Sequence, residues 1–371
     1  MEALFNNVLV FTGAGLSKPL GLPTTAEFEE VINKSCSSDV LNELKAHLGD
    51  NAKDIEAILS IIGDLQRKDS FVYKYLERKK NQSSYSQIFP TLSKFIDNSI
   101  QSSIELKKKL YELLTEFNLS KAEALYKAII AEIKALNSEA CVSFFTANYD
   151  LTFENAYDNI ADDLEKQFGI SDVDLGFNIR RHKQHFDIQK GFEWKKDVIE
   201  YKKIHGSLDW HYDKKVCLKS GVSTKPDDPN TMPLLYPGFK GTPAEEPFIT
   251  LHSQLFQRMM TADLLIFAGF AFRDQYINNL VDMAIMANPS LKVLCYNPAE
   301  IKDLPEESML GMFVGKFKDR FKHIKERIDV KEEPLGIKRF VKISQNNGSH
   351  KKPVEESASA NSKSNSRKVT I

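Results

Sequence analysis

Three short clusters in this sequence carry side chains able to do chemistry. The first, Thr12-Gly13-Ala14-Gly15-Leu16-Ser17, follows the apolar run VLVF at 8–11. Two glycines behind a buried strand let the backbone turn tightly and approach a ligand closely, and free amides at the start of a following helix favour a diphosphate. The same residues also suit an ordinary strand-to-helix turn. They do not fit the dehydrogenase pattern: the third glycine of G-x-G-x-x-G falls at Lys18, and no second strand ending in an acidic residue follows about 20 residues later. The second cluster, Thr146-Ala147-Asn148-Tyr149-Asp150, closes the apolar run at 142–145. It sets an amide and a carboxylate two apart at a strand's carboxyl end, the edge at which open α/β sheets bind ligands. Alone, such a pair also serves to cap the next helix. In the third, Lys203-Ile204-His205-Gly206-Ser207, a histidine suited to accept a proton near neutral pH precedes a glycine that lets a ligand reach its ring. It is the only one of eight histidines followed by glycine, and His182, His185 and His211 lie in polar surroundings and read as surface residues.

Strands and helices must hold these clusters in place. Apolar runs at 8–11, 142–145, 264–268 and 293–296, bounded by Gly, Asn or Thr, predict buried parallel strands. Ile55, Ile58, Leu59 and Ile62, then Leu125, Ile129 and Ile133, fall at helical spacing, so about 24–137 is expected to be an α-helical insertion, starting with a helix at 27–32. From about 157 to 247, KPDDPN, YPGFKG and TPAEEP predict a smaller, loop-rich lobe. A helical pattern around 309–328 predicts C-terminal helices over about 301–343, and 344–371, almost without apolar residues, reads as a disordered tail. A single catalytic domain over 1–343 would then have its core at about 1–23, 138–156, 198–210 and 248–300. No internal repeat is visible.

Composition narrows the function classes. The chain has 371 residues with 50 Lys and Arg against 51 Asp and Glu, a net charge of −1, so nothing draws it as a whole to a phosphate polymer and direct nucleic-acid binding is not expected. Cys36, Cys141, Cys217 and Cys295 are scattered, which excludes a zinc knuckle and a disulfide framework. The longest apolar run, LLIFAGFAF, is less than half of the roughly 20 residues that span a bilayer. The start MEALFNNVLVF lacks a basic n-region, and a cytoplasmic location is expected.

Taken in order, GAGLSKPLGLP, TANYD, IHGS, the late GFAFRD and a strand ending at Asn297 resemble the sirtuin family of NAD-consuming proteins, over most of 8–298. The resemblance implies an α/β fold: a Rossmann-like parallel sheet of the sirtuin type, with the helical insertion and the smaller lobe added. It also implies NAD as substrate, split at its nicotinamide glycosidic bond. By resemblance Gly13, Ala14, Gly15 and Ser17 line the pyrophosphate and ribose, Asn148 and Asp150 border the nicotinamide and its ribose, His205 is the base, and Gly269 and Asn297 lie along the adenosine half. Three departures separate the chain from protein-deacylating sirtuins. Thr24-Thr25-Ala26 stands where Asp-Phe-Arg is usual, only Cys217 remains where a four-cysteine zinc module is usual, and Ala271 replaces a serine. No zinc is therefore expected.

These departures resemble sirtuin-like domains of bacterial antiviral defence that deplete NAD. The expected reaction is hydrolysis of NAD to nicotinamide and ADP-ribose, with Asn148 orienting ribose or water, Asp150 holding the carboxamide and His205 taking a proton. Its expected control is homo-oligomeric assembly or, by resemblance, a HerA-like ATPase partner. Two other readings stand beside it, an NAD-dependent protein deacylase and a non-catalytic sensor of NAD or ADP-ribose or scaffold subunit. Strand alternation turns Tyr149 away as a packing residue. Asp274 reads as a helix-start cap, with a direct ribose contact as the second possibility.

Overall fold

The four apolar runs become strands because each is short, rich in β-branched and aromatic residues, and closed by turn formers. A computed structural model describes residues 5–28, 30, 42, 71–82, 88–180, 182–220, 231–235, 245–298, 320–326, 328 and 334–337. Seven strands build one sheet: β1 (Asn7–Thr12), β2 (Cys141–Thr146), β3 (Asp172–Asp174), β6 (Val198–Lys203), β9 (Leu264–Ala268), β10 (Lys292–Tyr296) and β11 (Phe321–Ile324). Their order is β11-β10-β9-β1-β2-β6-β3, and every pair is parallel. The chain leaves the central β1 for β2 on one side and later returns to β9 on the other. That reversal opens a crevice at the carboxyl edge, where such sheets take ligands.

Both faces of the sheet are covered, as an all-parallel sheet requires. Side chains alternate along β1, so Val8 and Val10 enter one core layer while Leu9 and Phe11 enter the other. The first layer receives Leu125, Ile129 and Ile133 from one helix and Phe153 and Ile160 from the next. Among the described residues the helices are, in chain order, α1 (Ala14–Ser17), α2 (Phe71–Lys79), α3 (Ile88–Thr115), α4 (Leu119–Leu136), α5 (Thr152–Phe168), α6 (Phe248–Thr261) and α7 (Gln275–Ala287). Helices α4 and α5 supply that first layer, and α6 and α7 supply the second through Leu251, Leu255, Met259, Ile277 and Val281.

Three sequence expectations change. Residues 157–247 are not uniformly a loop-rich lobe: α5 packs on the main sheet, β3 is one of its strands, and β4 (Phe177–Arg180), β5 (Lys183–Phe186), β7 (Trp210–Asp213) and β8 (Val216–Lys219) form an antiparallel sheet ordered β4-β5-β8-β7. These strands are only four residues long, too short for periodicity to show. Within the expected C-terminal helices, residues 321–324 are instead β11, because β10 offers an unpaired edge to a β-compatible FKHI segment. And α4, counted with the insertion, is the crossover that packs on the core before β2. Residues 25–28 and 30 are helical, so the helix expected over 27–32 is present where it is described and starts two residues earlier, while 29, 31 and 32 lie outside the described residues. The apolar set Ile55 to Ile62, residues 301–319 and the tail 344–371 lie outside the described residues. Among those described, no helix is long and apolar enough to cross a membrane.

Buried charges tie the lobe to the sheet. The Arg258 guanidinium on α6 donates to Glu200 Oε2 on β6 at 2.6 Å, to the Gly191, Phe192 and Glu193 carbonyls at 3.1, 3.3 and 2.8 Å, and stacks over the Trp194 ring at 4.5 Å. Removing one partner of a buried ion pair leaves the other charge uncompensated, at a cost of about 3–5 kcal/mol. Arg258→Leu should therefore lower unfolding free energy by that order in urea titrations, and a loss under about 1 kcal/mol would refute the role given to this pair.

Candidate functional site

A cavity of about 270 Å³ lies over the carboxyl edge, walled by the loops after β1, β2, β9 and β10, by His205 after β6, and by Leu110 and Leu114 of α3. Its floor depends on three glycines. Gly13 N donates to Ala268 O and Gly15 N to Gly269 O, both at 3.0 Å, and Gly269 N donates to Tyr296 O at 2.9 Å. A Cβ on Gly13 would stand 2.7 Å from Gly269 O, one on Gly15 2.7 Å from Gly269 Cα, and one on Gly269, whose φ is +67°, 2.3 Å from Leu16 N. The expectation of free amides is thus corrected for Gly13 and Gly15: their N–H groups are engaged, and the glycines serve backbone-to-backbone packing. Ala14 and Ser17 also line the cavity.

On the next strand, Asn148 and Asp150 both line the cavity, and Asp150 also serves the start of α5. Asp150 is buried, and its Oδ1 accepts from Thr152 N at 3.1 Å and Thr152 Oγ1 at 2.6 Å, at the start of α5. Its Oδ2 accepts from Ser17 Oγ at 2.9 Å, and Ser17 Oγ in turn accepts from Asn148 Nδ2 at 3.1 Å. One carboxylate therefore organises a helix start and couples the loop after β1 to the loop after β2. Gly269 and Asn297 meet the same cavity, where Asn297 Nδ2 donates to Phe270 O at 3.1 Å.

Lys203, which the sequence reading did not single out, holds this arrangement from below. Its buried ammonium donates to the Tyr149 carbonyl at 3.3 Å, to the Asp150 carbonyl, and to Ser207 Oγ at 3.0 Å, and it pairs with Glu154 Oε1 at 3.0 Å. Ser207 Oγ donates onward to Asp209 Oδ1 at 2.6 Å, whose other oxygen meets Lys219 Nζ of the lobe at 2.6 Å. The legible signal was the pair Lys202-Lys203 inside an otherwise buried strand. Alternation sends them to opposite faces, and Lys202 pairs with Asp174 Oδ1 at 2.9 Å.

His205 is 2% exposed, and its Nε2 lies 3.0 Å from Asp274 Oδ2, within ion-pair distance but without hydrogen-bond alignment. Asp274 Oδ1 accepts from Ile277 N at 3.1 Å, so the expected cap of α7 is present and the contact with His205 is additional. Burial raises the Asp274 carboxyl, but His205 and the Ile277 amide outweigh it and hold the group below the usual carboxylate range. Behind His205 sits His252 of α6, ring centroids 6.2 Å apart, with Nδ1 donating to the Phe248 carbonyl at 2.8 Å. Sequence offered no sign of His252, which occupies a buried position beside Leu251 on an amphipathic helix. Gly206 also acts differently from expectation. At φ +94° it makes room for another backbone, since a Cβ there would stand 1.9 Å from Pro233 O, and Leu235 N donates to His205 O at 2.8 Å. Tyr149 is buried, and its hydroxyl donates to Leu235 O at 2.8 Å across the same contact. Among the described residues no group of three or more His, Cys, Asp or Glu could hold a metal ion.

Residues 142–308 match the family model of the SIR2-like domain. Over those residues the chain is similar to SIR2-like domains. The matched span contains Asn148, Asp150, His205, Gly269, Asp274 and Asn297, while the loop from Gly13 to Ser17 precedes it. Similar solved structures include a triply substituted Sir2 homologue in complex with 2′-O-acetyl ADP ribose, at 15% identity and TM-score 0.40, covering 94% of this chain and 96% of that one. Another is Sir2Tm bound to a propionylated peptide, at 15% identity and TM-score 0.35, again over 94% and 96% of the two chains. No curated protein matches the chain.

Burial, reinforced by the neighbouring His205, pushes the His252 imidazole down from 6.5 to about 4. A folded-state pKa below the unfolded one means that the unfolded chain binds the extra proton first, so this contribution is complete above about pH 6.5 and is lost as pH falls toward 4. Urea titrations across that window should show a loss of up to about 3 kcal/mol attributable to His252, absent in His252→Gln. An unchanged pH slope in the variant would contradict the buried, neutral ring.

Proposed function

We propose that this protein hydrolyses NAD to nicotinamide and ADP-ribose, and that the reaction depletes cellular NAD in antiviral defence. The observation that carries the reading is the convergence of Asn148, Ser17 and His205 on one cavity at the strand-order reversal of a SIR2-like domain. The bond between C1′ of the ribose and the nicotinamide nitrogen breaks, and its electron pair neutralises the pyridinium, so the leaving group needs no acid. Water oxygen bonds to C1′ and its proton passes to His205. Asn148 orients the ribose or the water. Asp150, with both oxygens already accepting, acts by fixing Ser17, which in turn receives the Asn148 amide. Leu22, Phe28, Leu110 and Leu114 give the cavity an apolar wall suited to the face of a base and to excluding bulk water.

Hydrolysis is favoured over deacylation because Cys217 is a lone buried thiol where a zinc module is usual. Control by assembly or by an ATPase partner gains a physical route in α3, which belongs to the insertion and supplies Leu110 and Leu114 to the cavity. Any shift of that helix reshapes the wall.

Incubation of the full chain with NAD, followed by product analysis, should yield nicotinamide and ADP-ribose in equal amounts. General-base assistance is worth about 10²–10⁴-fold, so His205→Ala and Asn148→Ala should each lower turnover by that order, or about 3–5 kcal/mol of barrier. Nicotinamide release that requires an acylated peptide would identify a deacylase, and NAD binding without products would identify a sensor. If control is by assembly, specific activity rises with protein concentration.

A further inference from the structure

The geometry points to Asp274 as a positioning residue that fixes the tautomer of His205, leaving Nδ1 as the nitrogen that receives the proton. Nε2 of His205 is sealed from solvent and faces Asp274 Oδ2 at 3.0 Å. A carboxylate offers only lone pairs, so the ring nitrogen beside it carries the hydrogen. The neutral imidazole is then the Nε2–H form, with its lone pair on Nδ1. The one polar contact of the ring among the described residues is that of Nε2 with Asp274, and His205 stands in the cavity wall.

The neighbours support this division of labour. Asp274 is itself held: its other oxygen accepts from Ile277 N at the start of α7, so the carboxylate cannot rotate away without uncapping the helix. Of the titratable groups around the pair, His252 on α6 is neutral, with its pKa near 4, and donates to Phe248 O rather than to Asp274. Tyr276 on α7 packs edge-on against His252 at 5.3 Å, and Arg273 lines the cavity beside Asp274. When a water or ribose hydroxyl gives its proton to Nδ1, the ring becomes imidazolium and the Asp274 charge offsets it. Asp274 keeps its own charge throughout, as in the histidine–carboxylate pairs of other hydrolases.

This inference rests on the proposed hydrolysis only for its kinetic arm. Asp274→Asn is the informative change, because asparagine caps helices as well as aspartate does. With its oxygen on Ile277 N, its amide NH₂ faces Nε2 and stabilises the opposite, Nδ1–H tautomer. Long-range ¹H–¹⁵N spectra of the histidine rings, with His205 identified by its absence in His205→Gln, should show Nε2–H in the parent and Nδ1–H in Asp274→Asn. The melting temperature should be unchanged and NAD hydrolysis should fall by about 10²–10⁴-fold. An Nδ1–H tautomer in the parent, or a variant with parental tautomer and parental rate, would overturn the assignment. The spectra need no substrate, so a parent that fails to hydrolyse NAD would sink the proposed function while the tautomer is still read. If Asp274→Asn does not fold, Asp274→Ser keeps a cap and removes the charge, and a population of Nδ1–H should then appear.

Discussion

The loops after β1 and β9 touch backbone to backbone, and the position of every other part of the cavity follows from that contact. Gly13 and Gly15 lie against Gly269 with no side chain between them, and Gly269 passes the contact on to β10 through Tyr296 O. Three adjacent strand ends are thereby locked in series at the point where strand order reverses. Because α1 starts directly on this floor, Ser17 reaches the Asp150 carboxylate on the other side of β1. A single Cβ at any of the three positions would push the loops apart by about the thickness of a methyl group, and the Ser17–Asp150–Asn148 chain has no slack to absorb it.

Buried charge does the rest of the positioning. Lys203 draws together carbonyls from the loop after β2 and a hydroxyl from the loop after β6, so the amide side and the histidine side of the cavity share one anchor. Arg258 performs the same task for the lobe, gathering three carbonyls from the segment before β6. In a low-dielectric interior such contacts are strong when complete and costly when broken, which gives them a direction as well as a strength. They hold loops, which lack the ladders of strands, in one conformation.

The fold was legible where its elements were long or apolar. Four strands of the main sheet and the core face of α4 announced themselves through Val, Ile, Leu and Phe at strand or helix spacing. β3, with two aspartates in three residues, and the four short lobe strands carried no such signal, because β3 is held by pairing with β6 and the lobe strands by pairing with one another. Asn148, Asp150 and His205 could be picked out because turn residues mark the carboxyl ends of strands. Their partners could not. Lys203, His252 and the second contact of Asp274 matter through what faces them from distant parts of the chain, 47 to 69 residues away for the contacts with His205, and spacing along a sequence does not encode that. The glycines mark tight backbone approach, and the structure shows the protein's own loops approaching one another at these positions in the cavity wall.

The strand order also governs when during synthesis a working cavity can exist. β1 is made first, yet both of its neighbours come much later, β2 from residue 141 and β9 from residue 264, and the cavity wall includes Ile328. A sheet built from such distant pairings closes slowly and late, and domains form as units once their last elements leave the ribosome. Premature termination anywhere before β9 therefore yields a chain holding the first glycine pair with nothing to pack it against. A chain truncated there lacks the β9 and β10 sides of the cavity altogether.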